Sequence, residues 1–420
     1  MRRHMIMVAI VLLSSFLVLM LKPVFSQSAN NPAQVKIEDL FKANRYNLVI
    51  SNGSLSGSGL DFLIKAASTS QFFAIGEPHN TKDVPEITSL LFESLHKQYG
   101  FNYIALEQDP VMAQMVSAPS VVGKRDYVIS LARQYPNAFI FITDQELEMI
   151  SRTGVISNGK GNRIWGVDQV FGAIHVLDRL SKFAPNAEIR DRTLKLIEVL
   201  KQHEAERVKK LQRYTMADVG EIDEFNNLIR QYNSKGNSEV EFLISQMLLS
   251  AQIYKNNIMA EAGQLTGYIS NLEREENMKT LFMLEYRKAQ AAGEALPKVL
   301  LKFGHYHSIR GKNLVNVFTL GNFVAELAKS NSMGSFHLTI YNNNTSGDYQ
   351  GLADIAEYKP LASAAEGNLT IIDLRPLRGY IHAGRVSGLN PELKSIIFGF
   401  DAVLLIKSVS GGTYKLIGVE

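Results

Sequence analysis

The chain has 420 residues, of which 44 are Lys or Arg, 41 are Asp or Glu and none is Cys. The absence of Cys excludes disulfide bonds, a cysteine nucleophile and lipid attachment through a thiol. This length is sufficient for a large core or for one domain with a sizeable insertion. A near balance of charges also argues against a nucleic-acid-binding protein, which usually carries a basic face.

The N-terminus has the pattern of an export signal. Arg2 and Arg3 precede a nearly continuous apolar stretch, residues 5–21, and Val24-Phe25-Ser26 offers a small-residue cleavage site. We therefore predict a cleaved signal peptide, residues 1–26, and a periplasmic or secreted protein, with a retained anchor as the alternative. The signal holds three basic and no acidic residues, so the mature chain has 41 of each charge. We expect neither nucleic-acid binding nor stable membrane association after cleavage.

Apolar runs of strand length alternate with segments of helical periodicity, which predicts an α/β fold with a largely parallel sheet flanked by helices. The predicted strands are residues 72–75, 103–106, 163–167, 298–303, 336–341, 368–372 and 402–406. The predicted helices among them are residues 60–67, 84–99, 125–135 and 172–183. Residues 27–56, rich in Ser and Asn, are interpreted as a leader into a domain of residues 57–420. Within that domain, about 186–295 is predicted to be a helical insertion of about four helices.

The first predicted strand ends in Gly76-Glu77-Pro78-His79. Glu77 and His79 are two residues apart, so in extended backbone their side chains lie on one side, and Pro78 stiffens the chain between them. A carboxylate beside an imidazole can set its tautomer and raise its basicity, as a general base acting on water requires. The same pair could instead bind a metal ion, or Glu77 could simply cap the following helix.

Two further predicted strands end in carboxylates. Glu107 follows the second strand and is expected beside Glu77 at the same sheet edge, because connections between parallel strands are short. Asp168 repeats the geometry after the third strand. Neighbouring carboxylates push their pKa values apart, which is the usual way to obtain one acid and one base. For Glu107 the alternative is the common role of an acid at a helix N-terminus.

His305 and His307 follow the strand that ends at Gly304. A His-x-His pair is a frequent metal-ligand arrangement, and it serves equally well as a base plus an electrostatic stabiliser. In extended backbone the two side chains would point to one side. Arg274 lies on a predicted helix among acids, where composition alone favours a surface ion pair. The chain has no P-loop, no G-x-S-x-G and no G-x-G-x-x-G, which argues against nucleotide-dependent chemistry and the common serine hydrolases.

Taken in order, these motifs resemble the erythromycin esterase-like family, whose wider superfamily includes ChaN-type haem-binding and Tiki/TraB-type proteins. The resemblance spans roughly residues 70–410 and rests on Gly76, Glu77, His79, Leu106, Glu107, Gly166, Asp168, Arg274, Asn277, Met278, His305, His307 and the closing run 400–403. It implies a sheet flanked by helices, with a cleft lined by these side chains. It also implies ester hydrolysis by a histidine-activated water, with no covalent enzyme intermediate.

The resemblance further implies roles for the candidate site residues. His79 is the expected base, with Glu107 or Glu77 orienting it, and His305 or His307 would polarise the carbonyl oxygen as it becomes an oxyanion. Because the family has an arginine at the corresponding place, Arg274 becomes a site residue. The candidate catalytic residues are therefore Glu77, His79, Glu107, Asp168, Arg274, His305 and His307.

The first motif departs from the macrolide esterases, which typically have two residues between the Glu and the His and a Gly after the His. Here Pro78 alone separates them and Asn80 follows. This Gly-Glu-x-His form is more similar to that of the ChaN-type and Tiki/TraB-type proteins. The fold is expected to carry over, and a macrolide substrate is not. The leading hypothesis is an exported hydrolase that cleaves an ester or related bond of a small, partly apolar molecule and requires no cofactor.

Two alternatives remain open at the level of sequence. One is a haem- or iron-binding protein of the ChaN type, with exposed His and Tyr side chains near the cleft as iron ligands. The other is a metal-dependent peptidase that uses Glu77, His79, His305 and His307 as ligands.

Overall fold

The computed structural model describes residues 34–156, 163–208, 215–219, 223–233 and 236–418, so the predicted signal, residues 1–26, lies outside the described part of the chain. The strands are β1 (Val35–Lys36), β2 (Arg45–Asn47), β3 (Val49–Ser51), β4 (Ser54–Ser56), β5 (Ser70–Glu77), β6 (Phe101–Leu106), β7 (Ile164–Gly166), β8 (Lys298–Gly304), β9 (Gly334–Asn342), β10 (Leu369–Asp373), β11 (Val386–Ser387) and β12 (Ala402–Ile406). Eight of them form one sheet in the order β2-β10-β12-β9-β5-β8-β6-β7.

Helices cover this sheet. They are α1 (Ile37–Ala43), α2 (Ser58–Ala67), α3 (Asp83–Tyr99), α4 (Pro110–Ser117), α5 (Arg125–Gln134), α6 (Asp144–Ile156), α7 (Ile174–Ser181), α8 (Ala187–Val208), α9 (Thr215–Val219), α10 (Asp223–Arg230), α11 (Ser238–Glu261), α12 (Gly267–Ala291), α13 (His305–Ser308), α14 (Leu320–Ser330), α15 (Lys359–Ala362), α16 (Arg375–His382) and α17 (Pro391–Gly399). Among the described helices, none is long and apolar enough to cross a membrane.

The sheet is largely parallel, which confirms the predicted α/β fold. From β12 to β7 each strand runs parallel to its neighbour, and only β10 is antiparallel to both strands beside it. Strand β5 is buried along its whole length. Its side chains alternate between two apolar clusters, with Phe73 and Ile75 in one and Phe72 and Ala74 in the other. Burial on both faces explains why the strand reads as a continuous apolar run.

Residues 34–56 contribute to the fold itself, although the sequence suggested that they only lead into it. Tyr46 of β2 pairs with Ile371 of β10, so β2 forms one edge of the sheet. Phe41 of α1 is fully buried in an apolar cluster with residues of the C-terminal part of the chain. The apolar segments in this region are short and are separated by residues rich in Ser and Asn. Composition therefore predicted a leader and not strands of the domain.

The strand that ends at Glu77 does not lie beside the strand that precedes Glu107, in contrast to the expectation from sequence. Strand β8 lies between β5 and β6, pairing Gly304 with Glu77 and Lys302 with Leu106. The rule for crossover connections determines the handedness of the connection between β5 and β6. It does not determine whether a later strand of the chain is inserted between them. The carboxyl ends of all three strands still meet at one sheet edge, so this order brings a third strand end into the site.

The described residues between β7 and β8 are helical, from α7 to α12, with no strand among them. Helix α12 packs on the sheet, where Met278 and Phe282 join the apolar cluster of Trp165 on β7 and Phe72 on β5. The rings of Phe282 and Trp165 meet edge to face, with their centroids 5.5 Å apart. This packing places Arg274, one turn before Met278, beside the carboxylates that follow β6 and β7.

Candidate active site

The carboxyl ends of four adjacent strands carry the candidate site residues. Glu77 is the last residue of β5, Glu107 directly follows β6, Asp168 lies just after β7, and α13 with its two histidines directly follows β8. Arg274 comes from α12 and contacts the carboxylates of β6 and β7. In open parallel sheets, this edge is the usual location of a ligand cleft.

A sharp turn after β5 presents His79. Asn80 has a positive φ of 59°, a conformation that Asn adopts more readily than most residues. Its carbonyl oxygen accepts hydrogen bonds from the Gly412 amide at 2.8 Å and from the Tyr349 hydroxyl at 2.6 Å. Pro78 limits the backbone on the other side. The C-terminal segment and the loop after β9 therefore fix the backbone on which His79 is carried.

The imidazole of His79 lies between two buried carboxylates. Its Nδ1 is 3.4 Å from Oε1 of Glu77 and its Nε2 is 4.0 Å from Oε2 of Glu107. The ring stacks on Phe141 with the centroids 4.3 Å apart, and 37% of the side chain remains exposed. Burial opposes protonation, but the charges of Glu107 and Glu77 outweigh it and raise the pKa of His79. A basic, accessible nitrogen next to anionic groups is the arrangement that a general base needs.

Glu107 has polar neighbours on β8, α12 and α13. Its Oε2 accepts a hydrogen bond from the Gly304 amide at 2.7 Å, and its Oε1 accepts one from Nη2 of Arg274 at 2.9 Å. Nε2 of His307 lies 3.6 Å from the same Oε1. Burial disfavours the charged carboxylate, but His307, His79, Arg274 and the Gly304 amide outweigh it and lower the pKa of Glu107 to about 2. Glu107 is therefore an anion at neutral pH.

Arg274 lies among the candidate site residues, although its acidic surroundings in the sequence favoured a surface role. Its guanidinium binds Asp168 through Nε at 3.0 Å and Nη2 at 2.5 Å, and it binds Glu107 through the same Nη2. Burial alone would lower its pKa, and the two carboxylates raise it above the ordinary value. The guanidinium binds Asp168 in a bidentate manner, which Lys cannot reproduce, and its contact with Glu107 connects the ends of β6 and β7.

The two histidines after β8 point to different partners, which differs from the expectation for an extended His-x-His pair. They lie in the single helical turn α13, where a spacing of two residues places side chains on different sides. Nδ1 of His305 is 2.6 Å from Oγ1 of Thr339, and its ring stacks on Tyr341 with the centroids 4.4 Å apart. Burial and the nearby charge of His79 lower the pKa of His305 to about 3, so it is neutral at physiological pH.

His307 belongs to a second group of contacts that includes a residue we did not anticipate. Its Nδ1 is 2.7 Å from Oε1 of Glu275, whose Oε2 accepts a hydrogen bond from the Leu320 amide at 2.7 Å. Glu275 is fully buried. It is adjacent in sequence to Arg274, so one turn of α12 supplies both the arginine that binds Glu107 and the carboxylate that meets His307. No feature of the sequence distinguishes Glu275 from the neighbouring acids Glu273 and Glu276.

The sequence analysis also did not identify Lys302 and Glu146, two buried residues next to Glu77. Lys302, on β8, donates a hydrogen bond of 2.6 Å to Oε1 of Glu77 and another of 2.6 Å to Oε1 of Glu146 on α6. Burial raises the pKa of Glu146 to about 7. The positive charge of Lys302 opposes this shift, and the negative charge of Glu77 adds to it. Despite burial, Lys302 and Glu77 remain charged, because the pKa of Lys302 is raised and that of Glu77 is lowered. A single Lys within an apolar strand was the available signal.

The proposed metal ligands do not converge in the structure. Among the described residues, no group of three or more His, Asp or Glu side chains is placed to hold a metal ion. His305 faces Thr339 while His307 faces Glu275, so the pair does not form one ligand set with Glu77. The arrangement is instead suited to moving a proton at His79 and stabilising charge next to it.

The fold is similar to that of several solved structures. A Bacillus cereus protein is 17% identical, with a TM-score of 0.55 and coverage of 90% of this chain and 98% of that one. A variant of the erythromycin esterase EreC, in its open conformation, is 13% identical, with a TM-score of 0.53 and coverage of 84% and 94%. The chain has the fold of this esterase. The resemblance inferred from the motifs is thereby confirmed at the level of the fold.

A succinoglycan biosynthesis protein has the same fold, with 13% identity, a TM-score of 0.57 and coverage of 90% of this chain and 98% of that one. The haem-bound ChaN of Campylobacter jejuni aligns with a TM-score of only 0.29, which is too low to support an argument. No protein-family model matches the chain, and no curated protein sequence matches it. Function must therefore be argued from the site.

Proposed function

We propose that the protein is an exported hydrolase that cleaves an ester or related bond of a small molecule, with His79 as the base that activates water. One observation carries the proposal: the accessible imidazole of His79 lies at the open edge of the sheet with a buried carboxylate facing each of its nitrogens. The esterase-like fold and the N-terminal export pattern support it.

The contacts of His79 suggest which nitrogen acts. A proton on Nδ1 is donated to Glu77, which leaves Nε2 as the basic nitrogen, facing Glu107. A water bound there gives its proton to Nε2 as its oxygen attacks the carbonyl carbon. The imidazolium that forms is stabilised by both carboxylates, and it returns the proton to the leaving alkoxide when the tetrahedral intermediate collapses. The reaction needs no covalent enzyme intermediate.

His305 is the candidate group for the developing oxyanion. It is neutral at physiological pH, and in the tautomer whose Nδ1 accepts a hydrogen bond from the Thr339 hydroxyl the other nitrogen carries the proton. A neutral N–H donor fixed by a hydrogen bond and by stacking on Tyr341 costs no reorganisation as charge develops. Arg274 and Asp168 have a supporting role, because they hold Glu107 in place.

A panel of p-nitrophenyl and aliphatic esters tests this function on the mature protein. We expect His79→Ala and Glu107→Gln to lower turnover on the order of 10²-fold or more, the usual contribution of a positioned base. His96→Ala is the matched control, because His96 lies on α3 and contacts the Phe101 carbonyl, at the other end of β6. Full activity in both site variants, with folding intact, would contradict the proposal.

A further inference from the structure

Lys302 places a positive charge in the middle of the sheet. It lies on β8 between β5 and β6, its side chain is 2% exposed, and its ammonium group touches one oxygen of Glu77 and one of Glu146. The side chains of Glu77 and Glu146 are 2% and 3% exposed. Three ionisable groups from β5, β8 and α6 are thus removed from water where the sheet is covered on both faces and apolar side chains are expected.

Stability alone does not account for this cluster. Removing each ion from water costs several kcal/mol, and well-packed apolar residues at the same positions are often as stable or more stable. Leu300, two residues before Lys302 and on the same face of β8, is fully buried in an apolar cluster, which shows that apolar side chains pack well on this face. A charged group at position 302 therefore indicates a purpose other than holding the sheet together.

The position of the ammonium group connects the cluster to His79. Lys302 and His79 meet the same oxygen, Oε1 of Glu77, at 2.6 Å and 3.4 Å. Phe141 covers both, with its ring centroid 4.3 Å from that of His79 and 5.5 Å from the Lys302 ammonium. Glu146 binds the same ammonium group, so Lys302 is held between two carboxylates and in turn holds the Glu77 oxygen that meets Nδ1 of His79.

We propose that Lys302 and Glu146 are positioning residues: Glu146 holds Lys302, and Lys302 holds the Glu77 carboxylate so that it fixes the tautomer and ring orientation of His79. This inference rests on the proposed role of His79 as the base. Neither residue faces the open edge of the site, and they act through Glu77. The titratable groups near His79 are Glu77 and Lys302 from the sheet, Glu146 from α6, Glu107 from the end of β6 and His305 from the end of β8.

The proton position on His79 tests the proposal without any substrate. Long-range ¹H–¹⁵N NMR spectra of the histidine-labelled mature chain report which ring nitrogen carries the proton, and His79→Ala assigns the signal. In the wild type we expect the proton on Nδ1. In Lys302→Met and Glu146→Leu we expect a mixture of tautomers, and Glu146→Gln, which retains an oxygen that accepts from Lys302, should keep most of the wild-type preference.

A matched control is available in another three-group cluster. Glu93 on α3 binds Lys97 at 2.6 Å and Arg152 at 2.7 Å, at the surface and away from the site. Glu93→Gln should leave the His79 signal unchanged. If Lys302→Met does not fold because two buried carboxylates lose their partner, Glu146→Leu decides, since it leaves Lys302 and Glu77 paired one to one. A wild-type proton position in folded Glu146→Leu would overturn the proposal.

Activity measurements separate this inference from the proposed function. With a hydrolysed ester in hand, Glu146→Leu should lower kcat on the order of 10²-fold while KM stays within about twofold, because the ground-state contacts of the substrate are untouched. If the tautomer changes as expected but the wild type cleaves no ester, the positioning role stands and the hydrolase proposal fails. Equal falls in kcat for Glu93→Gln and Glu146→Leu would show a general structural effect and overturn the positioning role.

Discussion

Gly304 leaves the space in which the imidazole of His79 lies: a Cβ atom on Gly304 would be 2.6 Å from Nε2 and 2.8 Å from Cε1 of that ring. The backbone at Gly304 has φ −57° and ψ 153°, a conformation open to most residues. Close approach, and not backbone freedom, therefore requires glycine here. Its amide also donates to Glu107, so one residue of β8 positions both the base and the carboxylate beside it.

Gly304→Ala should displace the His79 ring and leave the fold intact, because the methyl group meets the tip of a side chain and not the backbone. We expect ester turnover to fall on the order of 10²-fold, the size of effect that a shift of about 1 Å produces in a reacting group. Gly379→Ala is the control, since a Cβ there meets nothing within 4 Å. Wild-type kinetics in Gly304→Ala with a folded far-UV spectrum would contradict the assignment of His79 as the base.

The pH dependence of turnover gives a second prediction. Burial lowers the pKa of His79, but Glu107 and Glu77 together raise it above its ordinary value. A base acts in its neutral form, so kcat/KM should rise with pH and reach half its maximum above pH 6.5. Glu77→Gln removes one of the charges that favour protonation, and the midpoint should move to lower pH. An unchanged midpoint in Glu77→Gln, measured beside the Glu93→Gln control, would argue against this assignment.

The sequence predicted the sheet and most of its strands because buried parallel strands are recognisable as short apolar runs bounded by glycine and polar residues. It did not predict that β8 lies between β5 and β6, because strand order depends on how helices pack after a long connection. The extended geometry assumed for His305 and His307 was also wrong. A run of four residues contains too little periodicity to distinguish a strand end from one helical turn.

The site shows the same division between local and long-range information. Glu77 and His79 are two residues apart in sequence and in contact in space, so their contact could be predicted from the local sequence. Glu146 and Lys302 come from separate elements, and only tertiary packing brings them to Glu77. Arg274 had the composition of a surface residue, and the ion pair with Asp168 that buries it crosses a large part of the chain.

Acid unfolding should report the charge on Glu107. Its pKa is about 2 in the folded protein against an ordinary value of 4.5. A carboxyl with a lowered folded-state pKa stabilises the fold above its unfolded pKa, and this contribution is lost as the pH falls from about 4.5 to about 2. The shift from 4.5 to about 2 corresponds to a contribution of about 3 kcal/mol to the free energy of unfolding. In Glu107→Gln, the free energy of unfolding from urea titrations should therefore fall less steeply across this range. If the free energy of unfolding fell equally steeply with pH in the wild type and in Glu107→Gln, the lowered pKa assigned to Glu107 would be contradicted.

Chelation and haem titration distinguish the hydrolase from the two binding alternatives. His305 and His307 face different partners, and His79 is already engaged by carboxylates on both sides, so we expect no step that needs a metal ion. Ester turnover should survive dialysis against a strong chelator. Added haem should not produce a Soret band that depends on His79, so the spectra of the wild type and His79→Ala should be the same. Loss of activity on chelation, restored by one divalent metal, would instead favour the peptidase alternative. A stoichiometric Soret band lost on His or Tyr substitution would favour a haem-binding protein.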